Sequence, residues 1–520
     1  MHLAITSKNG IEYASLAVSI RNGAKVSKKY ENLGRVIDRE RNVFYSRKRG
    51  LFTYSLETGE YGPAPEDLGC QRRKHRHLSH LLLDFGDTYF LSEFIARQAV
   101  TVHGKDGEQD RLLSLRDCLS SIGCSMPDTL FSMVFYYITC RTSNCHAEDW
   151  AQGNYISKAF PEADLSSQRI SEFLVAIGDE ASYRDFFRTY LNYVTGGDVK
   201  GTPILIDSTG MPNSIHFPLT AISDHNGSVS NEVRLIYVTH QETGFPIYFR
   251  YCAGNIVDVS TLSRTMAELK ASGVNTKFAI LDAGYFSGDN LRELYDQGIS
   301  FLLRLRGNSR IYKEVMEKHF NTLQQDENFI RYNDRYAYVK RVEVMLENDN
   351  RLYVYLGLDL NRKGEEEQKL FRRSARNSAK KEEVLAAMKS QGVFMLASSR
   401  RIAIDRILPT YYTRQDIEQV FDLGKNYSNM LPIRVRSEEA FRGHLLITFI
   451  ATVILKELQK RLKDTEYNID TALMNLRNQK CKVYDRSVVT QEPNRKVNDL
   501  YKKFGIDCPP EIDTREPEWR

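Results

Sequence analysis

The sequence predicts a mixed α/β fold, and three observations carry that expectation. Between Thr202 and Leu305, short apolar runs and amphipathic stretches follow the order strand, strand, strand, helix, strand, helix, strand, which suits a mixed sheet flanked by helices. The first 50 residues alternate with period two around the pairs Asn9-Gly10 and Asn22-Gly23, a strong hairpin signal. From Arg72 to about Tyr193, apolar residues such as Leu81, Leu82, Phe85, Phe131, Val134 and Tyr137 recur at helical spacing. At 520 residues the chain is long enough for roughly three domains.

Taken in chain order, residues 1–70 read as a basic β-ribbon with Lys8, Arg21, Lys25, Lys28, Lys29, Arg35, Arg39 and Arg41. Such a ribbon can lie in a DNA groove, or it can be an edge that Lys and Arg guard against further strand pairing. Residues 71–196 form a helical region. Within it, Asp164 or Ser166 can cap a helix whose stripe is Ile170, Phe173, Leu174 and Ile177. Ser167, Gln168 and Arg169 then fall in its first turn, where a recognition helix touches DNA. An amphipathic helix of a bundle has the same pattern.

Gly196, Gly197 and Gly201 mark a linker, and the alternating region opens after them. Residues 197–305 are the first part of the core, and 306–391 read as an inserted strand-rich subdomain. That insert has strands over 329–345 and 351–358 and a charged helical stretch over 363–391. A strand over 392–399 and a long helix from about Pro409 complete the core to residue 460. A helical, basic tail follows over 461–520 and becomes loop-like from about Asp485.

Hydrophobic residues make up 42% and charged residues 27%, the profile of a globular chain. The best apolar run, Leu445 to Leu455, covers 11 positions, against about 20 for a spanning helix. Polar Ser7, Lys8, Asn9 and Glu12 interrupt the start, where a secretory signal would be apolar. Cys118, Cys124, Cys140, Cys145 and His146 cluster loosely without CxxC spacing, so reduced thiols are preferred there to a zinc site. A net charge of +5 is small, and its distribution matters more than its sum.

Asp207 and Asp282 each stand at the end of an apolar run, before Ser208-Thr209-Gly210 and Ala283-Gly284. In an open sheet that edge is where ligands bind. Two carboxylates on neighbouring strands repel unless a cation neutralises them, and hard oxygen donors suit Mg²⁺ or Mn²⁺. On one continuous helix, Tyr411, Arg414, Glu418 and Lys425 project at about 0, −60, −20 and −40°. That narrow face holds no aliphatic residue. It suits a chemical site or a solvated, ion-paired surface.

Tyr, two residues, Arg, three residues, Glu, six residues, Lys resembles the signature of bacterial insertion-sequence DDE transposases of the insertion-sequence-four superfamily. "LIDSTG" and "AILDAGYFS" resemble the family's first two acidic motifs. "LPIRVRSEEAFRGHLLITFIA", with Arg434, Arg436, Arg442 and His444, resembles the segment after the Glu. The likeness covers about residues 160–460 and looks closest to the sixteen-thirty-four group. It implies an RNase H-like mixed-sheet catalytic core interrupted by a β-rich insertion, with Asp207, Asp282 and Glu418 as catalytic and metal-binding triad. The 135 residues between Asp282 and Glu418 leave room for that insertion.

The resemblance further implies a metal-dependent transposase, with two ions of Mg²⁺ or Mn²⁺ as cofactor. Tyr411, Arg414 and Lys425 would contact DNA. The implied partners are the element's terminal inverted repeats and target DNA, held by a homodimer on paired ends, in the bacterial cytoplasm near the nucleoid. A nuclease or resolvase that cleaves without joining, or a DNA-binding regulator descended from a transposase, are the other readings. The intact acids weigh against the last.

Overall fold

A computed structural model describes residues 2–513 apart from 9–10, 23–24, 47–48, 57, 66–80, 105–108, 199, 216, 226–227, 347–348, 378–380 and 485–486. The chain divides into two compact units, Met1–His80 and Leu81–Arg520.

In the first unit, strands β1 (His2–Lys8), β2 (Ile11–Asn22), β3 (Lys25–Asp38), β4 (Val43–Ser46), β5 (Gly50–Tyr54) and β6 (Tyr61–Pro63) form an antiparallel sheet in chain order. Residues 9–10 and 23–24 lie outside the described residues. The strands beside them pair with Lys8 opposite Ile11 and Asn22 opposite Lys25. Ala14, Leu16, Leu33, Phe44, Phe52 and Tyr54 make this unit's own core.

The second unit is built on a ten-stranded mixed sheet. Its strands are β10 (Lys200–Pro212), β11 (Ala221–His225), β12 (Ser228–His240), β13 (Pro246–Ala253), β14 (Asn275–Leu281), β15 (Ser300–Arg304), β16 (Phe329–Tyr332), β17 (Arg335–Met345), β18 (Arg351–Asp359) and β19 (Val393–Ser398). β10 and β12 are antiparallel, whereas β10, β14 and β15 run parallel through the helical crossovers Leu262–Ala271 and Gly288–Asp296. β19 turns the sheet antiparallel again and pairs with β18 on its far side. Strands β16, β17 and β18, which fall within residues 306–391, are therefore rungs of the same sheet as β10 and β14.

Before β10, strand β7 (Leu81–Asp84) and the hairpin β8 (Ala99–Val102) and β9 (Arg111–Ser114) accompany helices that include Pro127–Thr139, Ser167–Ile177 and Glu180–Thr195. The tail is more ordered than its sequence suggests. β20 (Lys480–Val483), β21 (Ser487–Thr490) and β22 (Glu511–Asp513) line up beside β7, and β20 pairs with β7 from Lys480 opposite Asp84 to Val483 opposite Leu81. Local periodicity cannot register such a pairing, because each strand has only three or four residues.

The helix Glu438–Leu462 runs between the helical layer and the sheet. Ser437 caps it by accepting from the backbone N–H of Ala440. Its Phe449 ring meets Phe187 at 5.4 Å and, from the sheet, Phe249 at 5.5 Å and Tyr237 at 5.9 Å. Burial on both sides explains the long apolar run. Among the described residues, no helix is long and apolar enough to cross a membrane.

The helix Ser167–Ile177 buries Ile170, Phe173, Leu174 and Ile177 and packs against this central helix. The contact is backbone to backbone. A Cβ placed on Gly443 would sit 1.9 Å from the Leu174 carbonyl oxygen, and one on Gly178 would sit 2.1 Å from that of Glu439. Gly443→Ala is expected to cost about 3 kcal/mol, because neither backbone can yield as a side chain would. Urea denaturation checks it, and an unchanged midpoint would contradict the close crossing.

Candidate active site

Strand pairing brings the two aspartates together. The parallel ladder between β10 and β14 ends at Ile206 opposite Leu281. Asp207 and Asp282 are the next residues on these neighbouring strands, whose spacing is roughly 4.8 Å. Asp282 follows its strand, as expected. Asp207 does not end one: β10 continues to Pro212 because its other edge stays paired with β12 through Glu232. Ser208-Thr209-Gly210 is strand rather than turn.

The expected long helix is two helices, Ile404–Tyr412 and Gln415–Tyr427. Between them the hydrogen bonds tighten to i→i−3, with the N–H of Arg414 donating to the Tyr411 carbonyl and that of Ile417 to the Arg414 carbonyl. Arg414 is therefore the N-cap of the second helix. A single-helix projection of the four residues holds only approximately.

That turn aims Arg414 at the strand ends. Its Nη2 donates to Asp207 Oδ2 at 2.8 Å and lies 3.4 Å from Asp282 Oδ2. Its Nη1 is 3.5 Å from Glu418 Oε1. One guanidinium thus meets all three acids, which come from two strands and a helix. The side chain of Asp207 is 12% exposed and that of Glu418 is 59% exposed. The Tyr411 hydroxyl donates to Asp282 Oδ1 at 3.5 Å, whereas Tyr412 stacks on Tyr332. Lys425 Nζ donates to Thr209 Oγ1 at 2.6 Å, two residues beyond Asp207.

Burial pushes the Asp207 carboxyl up to about 6, against the lowering influence of Arg414 and with a further push from Asp282. Burial acts to lower the pKa of Arg414, but Asp207 and Asp282 more than offset it and hold the guanidinium charged. Burial also raises the Tyr411 phenol and lowers Lys425, the latter opposed by Glu232.

Among the described residues, no three His, Cys, Asp or Glu side chains lie close enough to form a metal site. The cation at the centre of this cluster is Arg414. The donor set is nevertheless all carboxylate oxygen, as hard divalent ions require, and two of the acids already share one cationic nitrogen. In chemistry, though not in present spacing, this donor set suits such an ion.

Ser167, Gln168 and Arg169 are exposed on their helix. Gln168 and Arg169 both donate to Glu172, and Arg169 also lies 3.8 Å from Asp164. No hydrogen bond or ion pair found among the described residues links them to the acids. Cys118 is buried, and burial pushes its thiol up to about 12.

Residues 200–454 match the family model of the transposase DDE domain. This stretch is similar to that domain and covers just under half of the chain. A solved structure of a piggyBac transposase synaptic complex with hairpin DNA is similar at TM-score 0.38 and 9% identity, over 75% of this chain and 79% of that one. No curated protein matches the chain.

Sequence reasoning missed several residues around these acids. Arg234 and Asp258 lie behind Asp207. Arg306 donates to the carbonyls of Ala283 and Gly284 at 2.8 and 2.6 Å. Only Arg234 gives a sequence signal, as a lone charge in the apolar run Val233–Val238. A cleft of about 400 Å³, lined by Ala283, Arg304, Arg306 and Asn308 among others, opens next to Asp282.

His444, on the central helix, is fully enclosed. Its neutral ring can accept from the Tyr137 hydroxyl at Nδ1, 2.8 Å away, and donate from Nε2 to the Met430 carbonyl, 3.2 Å away. Burial pushes its pKa down to about 4. The unfolded chain takes up this proton near pH 6.5 and the folded chain only near 4, so stability falls as pH drops through that window. The loss approaches about 3 kcal/mol. Urea midpoints between pH 7 and 4 check this, and His444→Gln should flatten the slope.

Proposed function

We propose that the chain is a transposase that binds the terminal inverted repeats of an insertion sequence, cleaves the DNA ends and joins the resulting 3′-OH ends to target DNA. The observation that carries this reading is the convergence of Asp207, Asp282 and Glu418 on the Arg414 guanidinium. The strand arrangement supports an RNase H-like core: an antiparallel β10, β12 and β13 beside parallel β14 and β15.

In this reading Asp207, Asp282 and Glu418 hold the metal. Two bound divalent ions, Mg²⁺ or Mn²⁺, supply charge stabilisation for the attacking and leaving oxygens of an in-line displacement. Arg414 turns from the acids to a phosphate, for which its two-pronged donor set is suited. Its buried Nε has no hydrogen-bond partner among the described residues and is free to donate to a phosphate oxygen. Lys425 adds a point charge, and Tyr411 a hydroxyl, along the same path.

Charge distribution supports DNA as partner. Residues 1–80 hold 15 Lys and Arg against 8 Asp and Glu, while the remaining residues hold 57 against 59. The excess positive charge therefore resides in the N-terminal unit, where binding would weaken steeply with salt. A homodimer on paired ends, with Ser167, Gln168 and Arg169 on the DNA, completes the proposal.

The test uses purified protein, Mg²⁺ and a duplex bearing the inverted repeat found beside the gene. Cleavage followed by joining to a target plasmid is expected. Cleavage without joining would move the assignment to a nuclease, and binding without cleavage would overturn it in favour of a regulator.

A further inference from the structure

We propose that Asp258 and Arg234 are positioning residues that fix Asp207 relative to Asp282, an inference that rests on the transposase reading of these acids. The need for such a device follows from the ladder. Backbone pairing between β10 and β14 stops at Ile206 and Leu281, one residue before each aspartate. Among the described residues, no ladder pair joins the two strand ends beyond that rung, although a two-carboxylate site needs their separation held.

A buried side-chain bridge begins where the ladder ends. Arg234 on β12 is 1% exposed, and its Nη1 donates to Asp258 Oδ1 at 2.8 Å and to Ser208 Oγ at 3.2 Å. Ser208 Oγ donates to the same Asp258 oxygen at 2.5 Å. The backbone N–H of Ser208 in turn donates to Asp207 Oδ1 at 2.9 Å. Asp258 thus grips the residue that orients the Asp207 carboxylate.

Its other oxygen faces the second strand end. A Cβ placed on Gly284 would lie 2.6 Å from Asp258 Oδ2, so the carboxylate sits directly against the turn that follows Asp282. Asn290 Nδ2 fastens the two turns together, donating to the carbonyls of Val259 at 3.0 Å and Tyr285 at 2.8 Å. Asp258 is the piece in contact with both acidic motifs. A buried ion pair of this kind adds little net stability over a well-packed apolar pair, which leaves position as its use here.

The test compares full-length Asp258→Ala, Asp258→Asn and Ser208→Ala with wild type. Mn²⁺ affinity is measured without DNA, together with DNA affinity in chelator and the single-turnover cleavage rate of bound DNA. Asp258→Ala and Ser208→Ala should each weaken Mn²⁺ binding and slow cleavage by about 10–100-fold, with DNA affinity within about twofold of wild type. Asp258→Asn keeps an acceptor for Ser208 and Arg234 and should recover most of the loss.

A purely structural role would lower folded fraction, DNA binding and rate together, and that outcome overturns the proposal. Wild-type Mn²⁺ affinity in Ser208→Ala overturns it as well, even should Asp258→Ala fail to fold. A wild-type protein that never cleaves would instead sink the transposase reading, and the Mn²⁺ titrations would still decide the positioning role.

Discussion

Asp207→Asn, Asp282→Asn and Glu418→Gln should each keep DNA affinity and lose both cleavage and joining by two to four orders of magnitude, roughly 3–5 kcal/mol of barrier. Each change preserves shape and removes one charge. The three should differ in their side effects. Asp207 is buried and accepts from Arg414 Nη2 at 2.8 Å, so its replacement also frees the guanidinium. Glu418 is more exposed and its contact is longer, so Glu418→Gln should leave folding unaffected. Gel-shift and single-turnover cleavage on the same duplex separate the effects. Substantial cleavage by any one variant removes that residue from the triad.

Arg414→Met should destabilise the metal-free protein by about 3 kcal/mol, because it leaves the buried Asp207 beside the partly exposed Asp282 without their cation. The same variant should gain more thermal stability from Mn²⁺ than wild type does, since the ion no longer competes with a guanidinium for the carboxylates. The sign is the informative part. A residue that merely helped hold metal would give the opposite result, with a smaller Mn²⁺ shift than wild type. Melting curves in EDTA and in Mn²⁺ measure both, and an unchanged melting point in EDTA would mean the guanidinium does not compensate the acids.

Much of the core was legible because its elements are locally encoded. The run ending at Leu281 reads as a strand from its β-branched and apolar residues, and Asp282 follows as its terminus. The stripe on Ser167–Ile177 appears at the expected faces. Asp207 was harder to place, since β12 decides how far β10 extends, and β12 is more than 20 residues away in sequence. The break at Arg414 hides because Thr413 and Arg414 keep near-helical dihedrals, so no Gly or Pro marks it. Arg234, Asp258 and Ser208 come from separate elements and acquire meaning only when the sheet closes around them. Pairing of the tail with β7 is invisible for the same reason.

The strands between Asp282 and Glu418 share hydrogen bonds with the core: β18 with β19, and β19 with β15 through Leu302 opposite Ser398 and Leu303 opposite Ala397. Leu303 in turn pairs with Leu281, the residue before Asp282. The segment is therefore no detachable cassette. Deleting it would expose a raw sheet edge, and a load applied to its outermost strand would travel rung by rung to the strand that ends just before Asp282.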